Sequence, residues 1–198
     1  KTVAKHLEGK KIPFVYRVHD KPNENKINDL KNIVKTFGYS IESSNSYSLS
    51  KSLNQLLSQS QGKAEEQMIE TLTIRSMAKA VYTTKNIGHY GLAFNHYSHF
   101  TSPIRRYPDL LVHRILKNYI RQEKSIDVSS LEVLCKHSSE MEKMASGAER
   151  ESIKFMQTKY LKNKIGECFS GVISGVTNWG FYVELDKNKC EGLVKISS

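Results

Sequence analysis

The chain has 198 residues, of which 38% are hydrophobic, so it can form one full domain and a small second one. No run approaches the roughly 20 apolar residues of a membrane-spanning helix, which argues against a membrane protein, and no signal peptide is recognisable. The formal net charge is +10, which favours a polyanionic partner, above all nucleic acid. Because the chain starts at Lys1 and ends within a strand-rich stretch, we expect it to be a piece of a longer protein.

The three cysteines, Cys135, Cys168 and Cys190, are far apart in the sequence and odd in number. They form no CxxC pair and no spacing typical of a zinc site. Free, buried thiols in a reducing compartment are the simplest interpretation, so we expect a cytoplasmic protein.

Helical patterns dominate the first half of the chain. In chain order, the sequence predicts the end of a helix at 2–7, a strand at 13–18, an amphipathic helix at 25–37, a serine-rich loop at 39–52, helices at 53–60 and 63–82, and an irregular segment rich in histidines and aromatic residues at 86–100.

The pattern changes from helical to strand-like near residue 164. A helix is expected to end near Arg121, and one long helix is expected over 129–163, where Gly147 is a candidate break and the spacing of the methionines favours a buried face. Glycine-punctuated strands follow at 166–175, 180–185 and 191–196. The sequence therefore predicts an α+β chain, with a mostly helical domain at 1–163 and a short all-β unit at 164–198.

The run from 100 to 110, FTSPIRRYPDL, is the most informative motif. If Ser102 caps a helix that begins at Pro103, then Arg105 and Arg106 occupy a first turn that normally prefers acidic residues. A phosphate opposite them would suit both the helix end and the guanidinium groups. Alternatively, either arginine pairs with Asp109 on the helix surface, and the helix starts only at Pro108. Spacing alone favours neither alternative.

Positive charge is concentrated around this motif. Residues 101–124 include only two acidic residues but six cationic ones, which are Arg105, Arg106, Arg114, Lys117, Arg121 and Lys124.

Two further patterns were considered as chemical sites. His96 and His99 have the spacing of a metal-binding pair, but no third ligand is fixed, so hydrogen bonding in the core or in loops is favoured. The chain also contains no carboxylate cluster of the kind that holds catalytic metal ions, and we expect no metal site within it.

In the tail, Trp179, Phe181 and Tyr182 surround Gly180. Aromatic rings exposed on a small barrel stack on single-stranded bases. The alternative, in which the rings fill the barrel core, is equally favoured for Phe181 and less favoured for Trp179.

These motifs together resemble the ribonuclease R and ribonuclease II family of exoribonucleases. The resemblance is carried by HYGLA at 89–93, by YxHFTSPIRRYPDL at 97–110 with HR at 113–114, and by YRVHD at 16–20 and RSM at 75–77. The tail, from GVI at 171–173 through WGFYV at 179–183 to EGLVKIS at 191–197, resembles the start of an S1 RNA-binding domain.

The resemblance implies the C-terminal part of a catalytic domain followed by a truncated β-barrel of the S1 type. Such enzymes are hydrolytic, processive and magnesium-dependent, and they degrade single-stranded RNA from the 3′ end to nucleoside 5′-monophosphates. The aspartates that hold Mg²⁺ in this family lie upstream, outside this chain, so we expect the chain alone to be inactive. We also expect a monomer with no membrane partner and no small-molecule cofactor.

The resemblance also assigns site residues. Arg105 matches the position that contacts the scissile phosphate, and Glu149 aligns roughly with an acidic residue that influences activity. The positions implied to contact RNA are Arg105, Arg106, Tyr107, His113 and Arg114 in the first part, and Trp179, Tyr182 and Lys195 in the tail, where Lys195 replaces a histidine common in S1 domains.

Three hypotheses follow from the sequence. The first is a fragment of an exoribonuclease, and the second is a non-catalytic RNA-binding module. In the third, the piece neither cleaves nor binds RNA, because an open barrel edge and half a channel bind poorly.

Overall fold

The computed structural model describes residues 1–124 and 126–196. The chain folds into two compact units, Lys1–Met141 and Glu142–Ser198. Helices and two small antiparallel sheets make up both units, which confirms the predicted α+β class. Ser197 and Ser198, which belong to the predicted second domain, lie outside the described residues.

The first unit contains most of the helices and a two-stranded sheet. Its elements are α1 (Thr2–Gly9), β1 (Tyr16–Val18), α2 (Glu24–Thr36), α3 (Ser46–Ser60), α4 (Glu66–Ser76), β2 (Val81–Thr83), a short 3₁₀ turn (Tyr90–Leu92), α5 (Tyr107–Ile120) and the start of α6 (Val128–Lys162). Strands β1 and β2 pair antiparallel, with Tyr16 opposite Thr83.

Two hydrophobic clusters hold this unit together. The first joins α1, the small sheet, α5 and the start of α6, and it contains the fully buried side chains of Leu7, Phe14, Val112 and Leu131. The second joins α2, α3 and α4 through residues such as Val34. The first cluster matters for function because β1 lies within the YRVHD motif at 16–20 and α5 begins within the motif at 97–110.

The predicted loop at 39–52 is wrong from residue 46 onward, where α3 begins. Asn45 caps this helix, since its side chain accepts from the Ser48 backbone N–H (2.8 Å) and the Ser48 hydroxyl interacts with the Asn45 backbone N–H (3.0 Å). This capping box uses serine as a helix-start signal, whereas composition alone made the same serines look like loop.

The predicted helix at 63–82 is also too long. Helix α4 ends at Ser76, and Met77 is extended. Residues 81–83 form β2 instead, because pairing with β1 gives their backbone groups partners that are distant in sequence. No periodicity within the segment itself could reveal this long-range pairing.

Helix α6 runs without a break through Gly147. The expectation that its methionines form a buried face is wrong, since Met141, Met144 and Met156 are exposed. Among the described residues of α6, only Leu131 and Cys135 are buried. Hydrophobic spacing identified a helical period correctly, but it does not show whether a face is covered.

The second unit contains the end of α6 and a three-stranded antiparallel sheet of β3 (Gly171–Thr177), β4 (Gly180–Leu185) and β5 (Glu191–Lys195). Strand β3 begins five residues later than predicted. Gly180 is required by a close approach, because a Cβ atom there would lie 2.3 Å from the Val194 carbonyl oxygen. Among the described residues, no helix is long and apolar enough to cross a membrane.

The expectation of three buried thiols holds for two of them. Cys135 and Cys190 are buried and free, whereas Cys168 is free but exposed because it lies on the stretch before β3. Burial, with a smaller effect of the nearby Glu132 carboxylate, raises the pKa of the Cys135 thiol to about 12.

We therefore expect iodoacetamide at about pH 8 to alkylate Cys168 in the folded chain and to leave Cys135 unmodified. Alkylation requires an accessible thiolate, and a raised pKa leaves Cys135 almost fully protonated at this pH. Mass spectrometry of the labelled peptides measures the modification, and labelling in urea, where all three thiols should react, is the control. Equal labelling of Cys135 and Cys168 in the native chain would contradict the packing described for α6.

Candidate nucleic-acid interface

The arginine pair stands on a tight turn that precedes α5. The Ser102 carbonyl oxygen accepts hydrogen bonds from the backbone N–H groups of Arg105 (3.2 Å) and Arg106 (2.9 Å). Helix α5 starts at Tyr107, with Pro108 in its first turn, so Ser102 does not cap it. The later of the two predicted helix starts is therefore confirmed. Pro108 explains it, since a proline is tolerated in a first turn and disrupts a helix interior.

Asp109 fastens this turn to the helix. Its side chain is fully buried, and its Oδ2 accepts from the Ser102 backbone N–H at 2.8 Å and from Arg106 Nη2 at 2.9 Å. A buried carboxylate is strongly unfavourable without such charge-assisted partners. Arg106 therefore forms the ion pair with Asp109 that the sequence analysis gave as the alternative to phosphate binding. The aspartate of this pair is buried, whereas the arginine is partly exposed.

Arg105 takes no part in that ion pair. Its side chain is exposed, and within the described residues it forms no ion pair or side-chain hydrogen bond. The two alternatives derived from the sequence therefore apply to different arginines: Arg106 pairs with Asp109, and Arg105 stays available for a ligand. The RNA-contacting roles of both arginines remain predictions.

Arg105 lines a cleft of about 530 Å³. The other walls come from the start of α1, from residues 97–102 and from Arg106, and no carboxylate is among the lining residues. Three cations, Lys1, Arg105 and Arg106, face this space. The cleft, which we call the Arg105 cleft, can accept an anion with hydroxyl and backbone groups nearby for further hydrogen bonds.

Tyr97 and His99, which line the cleft, belong to a row of packed aromatic rings. Tyr97 packs edge-on against His99 (ring centroids 5.8 Å apart) and against His89 (5.3 Å). His99 Nδ1 and the Tyr82 hydroxyl share a hydrogen bond of 2.8 Å, which ties this row to β2. The His96 imidazole contacts the Glu8 carboxylate instead, so the two histidines that have metal-pair spacing bind different partners.

The resemblance implies a magnesium ion, and we examined whether residues 1–124 and 126–196 could hold one. The described residues contain no group of three or more histidine, cysteine or acidic side chains able to hold a metal ion. The Arg105 cleft, which lacks carboxylates, does not fit a divalent cation either. That Mg²⁺ is held by residues outside this chain remains a prediction.

His19 has a positioning role that the sequence did not suggest, although it lies in a motif of the resemblance. Its Nδ1 accepts from the Gly91 backbone N–H (2.9 Å), and its Nε2 therefore carries the proton donated to the Ala78 carbonyl oxygen (2.7 Å). A Cβ atom at Gly91 would lie 2.9 Å from His19 Nδ1, so glycine is needed there. His19 thus fixes the loop that carries His89 and Tyr90.

The other predicted contacts in the first unit do not line the Arg105 cleft. His113 is partly buried: its Nε2 bonds to the Phe100 carbonyl oxygen (2.8 Å), and its ring stacks on that of Phe100 at 4.1 Å. Arg114 is exposed on a separate groove along α5, which Lys117 and Arg121 also line. Tyr107 is exposed at the start of α5.

Four predicted residues lie in the second unit. Glu149 is exposed on α6, and Lys195 is exposed at the end of β5, opposite Gly180. The Trp179 side chain is 63% exposed in the turn before β4, as the stacking interpretation requires, while Tyr182 is half-buried between Gly175 and Leu193 of the neighbouring strands.

Comparisons with known proteins agree with the motifs. The sequence-family model of the RNB domain matches residues 1–122, and that of the S1 RNA binding domain matches residues 162–198. Ribonuclease R of Aquifex aeolicus is 45% identical over 201 residues, which cover 100% of this chain and 28% of that protein. The chain therefore spans little more than a quarter of the length of this relative.

Solved structures show the same fold. The chain superposes on Mycoplasma genitalium RNase R in complex with ribose-methylated single-stranded RNA with a TM-score of 0.86 and 31% identity, covering 100% of this chain and 32% of that one. It also matches yeast Ssd1, described as a pseudonuclease, with a TM-score of 0.78 and 24% identity, covering 98% of this chain and 25% of that one. The second likeness concerns the fold alone.

The environment of His89 makes a pH dependence testable. Burial first, and then the nearby charges of His19 and Arg17, lower the pKa of His89. Its Nδ1 is buried and has no hydrogen-bond partner within the described residues. The unfolded chain therefore binds a proton at His89 more readily than the folded chain, so the stability that neutral His89 contributes is present above a pH of about 6.5 and declines as the pH falls.

We expect the free energy of unfolding to decrease between about pH 7 and pH 5, and to decrease less in His89→Phe, which keeps a ring but cannot bind the proton. Urea unfolding at each pH provides the measurement. His137→Phe, at an exposed histidine of α6, is the matched control and should follow the wild type. If His89→Phe has the same pH dependence as the wild type, the burial of a neutral His89 is not the cause.

Proposed function

Because the chain belongs to the RNB domain family, we propose that it forms part of a hydrolytic, processive 3′-to-5′ exoribonuclease that degrades single-stranded RNA to nucleoside 5′-monophosphates. The observation that carries this proposal is Arg105, an exposed guanidinium at a cleft without carboxylates. In this proposal the chain is inactive alone, and the enzyme is a cytoplasmic monomer whose magnesium is held by residues elsewhere.

Arg105 is suited to the charge changes of phosphodiester hydrolysis. As water attacks the phosphorus atom, negative charge grows on the phosphate oxygens until the bond to the 3′ oxygen of the preceding ribose breaks. The ribose keeps that oxygen as a hydroxyl, and the released nucleotide keeps the phosphate on its 5′ side. A planar, permanently charged guanidinium binds two such oxygens at once and stabilises the charge where it develops.

The Asp109–Arg106 pair supports this role in the proposal. It holds the turn from 102 to 106 against α5, so Arg105 needs little further ordering when RNA arrives. Such preorganisation matters because a group that must be ordered during the reaction stabilises the transition state less.

The remaining assignments extend the RNA path. We assign Arg106, Tyr107, His113 and Arg114 to the walls of the channel in the complete enzyme, and Glu149 to an indirect influence on activity. In the second unit, exposed Trp179 and half-buried Tyr182 are suited to stacking on bases, and Lys195 to attracting a phosphate.

The second candidate function is a non-catalytic RNA-binding module. It is favoured by the same cationic cleft together with the lack of a carboxylate cluster in the described residues. Incubating the chain with end-labelled single-stranded RNA and Mg²⁺ separates activity of the chain from binding alone. Binding without release of mononucleotides agrees with an inactive fragment, whereas progressive shortening by the chain itself would show that this assignment is wrong.

We expect Arg105→Ala, introduced into the longer enzyme that carries this chain, to lower the turnover number about 100-fold or more, while the dissociation constant for RNA changes only a few-fold. The difference arises because the charge that Arg105 stabilises is greatest in the transition state. Single-turnover release of mononucleotides and filter binding of uncleaved RNA measure the two quantities.

Arg121→Ala, which removes an exposed arginine just after the end of α5 and outside the Arg105 cleft, is the matched control. Its turnover should stay close to that of the wild type. Wild-type turnover in Arg105→Ala would refute the catalytic assignment.

A further inference from the structure

A second cleft, of about 630 Å³, opens on the same unit and shares no lining residue with the Arg105 cleft. One wall is the start of α3, from Ser46 to Asn54, and the other is the segment from Ile87 to Asn95. The Ser50 hydroxyl donates to the Tyr90 hydroxyl oxygen at 2.8 Å and so connects the two walls directly. We call this space the α3 cleft.

The charge of the α3 cleft is positive. Lys21 and Lys51 line it, and neither forms an ion pair within the described part of the chain. Asp20 is the one acidic residue in the lining, and its carboxylate accepts from the Lys21 backbone N–H at 2.7 Å. Two ammonium groups therefore remain available to an anionic ligand.

The cleft also offers flat apolar surfaces. The Tyr47 side chain is 79% exposed at its edge, and Ile87 is exposed on the opposite wall. His89, Tyr90 and Phe94 add further rings to the lining. Apolar and aromatic side chains that are grouped in one cleft, rather than scattered singly over the surface, are typical of a binding site.

Cations beside exposed rings are the combination used by single-stranded nucleic-acid sites, in which bases stack on aromatic side chains and phosphates contact lysines. The amides of Asn54 and Asn95 also line the cleft and can bond to the polar edge of a base. The volume is ample for one nucleotide, since small-ligand pockets measure about 300–1,000 Å³. An acidic peptide would use the lysines but has no equal use for the rings and amides.

We propose that the α3 cleft binds one nucleotide of single-stranded RNA, with the base on Tyr47 and the phosphates near Lys21 and Lys51, as a site separate from the Arg105 cleft. This inference rests on the proposed function. The two clefts are neighbours, because His89 lines one, Tyr97 lines the other, and their ring centroids are 5.3 Å apart.

The test measures the affinity of the chain for a fluorescent uridine decamer by anisotropy at several salt concentrations. Tyr47→Ala should weaken binding at least about 5-fold through the loss of one stacked base, and Tyr47→Phe should restore it. Lys51→Gln should weaken binding. It should also reduce the slope of log affinity against log salt concentration by about one, because one phosphate contact is lost. Against a decamer that lacks bases, Tyr47→Ala should bind as the wild type does.

Two exposed positions outside the cleft provide matched controls. Ile74→Ala on α4 removes exposed apolar surface, and Lys35→Gln at the end of α2 removes one positive charge. Both should bind the decamer as the wild type does. Because Tyr47 and Lys51 are surface residues, their variants should fold normally, which the thermal unfolding midpoint verifies.

The proposal is overturned if the Tyr47 and Lys51 variants bind RNA like the controls, or if polyglutamate displaces the decamer from the wild type but not from Lys51→Gln, which would indicate an acidic protein partner. Neither outcome affects the proposed function, which depends on turnover in Arg105→Ala. Conversely, normal turnover in that variant alongside weakened RNA binding in Tyr47→Ala would refute the catalytic role and leave the α3 cleft intact.

Discussion

The buried carboxylate of Asp109 is the interaction on which the candidate interface depends. One of its oxygens receives both the Ser102 backbone N–H and the Arg106 guanidinium, so a turn, a neighbouring arginine and the first turn of α5 are fixed together. Removing one member of such a pair leaves an uncompensated buried charge, at a cost of about 3–5 kcal/mol. The exposed position of Arg105 follows from this arrangement, because Arg106 occupies the carboxylate.

Further contacts within the first unit hold the segment that precedes α5. The stacked pair of Phe100 and His113 fastens the start of the motif to α5, and His19 holds the loop before it through both ring nitrogens. Several hydrogen bonds from distant parts of the sequence thus converge on residues 89–109. These contacts hold in place a segment that has little regular secondary structure and that lines both clefts.

The sequence predicted the features that depend on local pattern. The amphipathic helix α2, the strand β4 and the change to strands in the tail all have local periodicity, and the long motif identified the family. Features that depend on distant partners were missed. Residues 81–83 become a strand because β1 lies beside them, and α3 begins at Ser46 because Asn45 and Ser48 cap it. Periodicity also could not distinguish the exposed methionines of α6 from a buried stripe.

The same limit applied to the site. Spacing allowed either Arg105 or Arg106 to pair with Asp109, and in the structure, where α5 starts at Tyr107, it is Arg106 that reaches the buried carboxylate. The α3 cleft was missed altogether, because the Ser50 and Tyr90 hydroxyls that join its two walls are 40 residues apart and no motif links them. A pair of serine and tyrosine hydroxyls at that separation carries no signal in a single sequence.

Hydrogen exchange of the backbone amides in Asp109→Asn tests the central claim most directly. The asparagine keeps the shape of the side chain but loses the charge that holds Arg106. If Asp109 fixes the turn, the Ser102 and Arg106 amides should exchange at least about 10-fold faster than in the wild type, since a loss of 1.4 kcal/mol in local stability already has this effect. The Ile115 amide, in the middle of α5, should be unchanged. Unchanged exchange at Ser102 and Arg106, or equally faster exchange at all three amides, would contradict the claim that this carboxylate organises the interface.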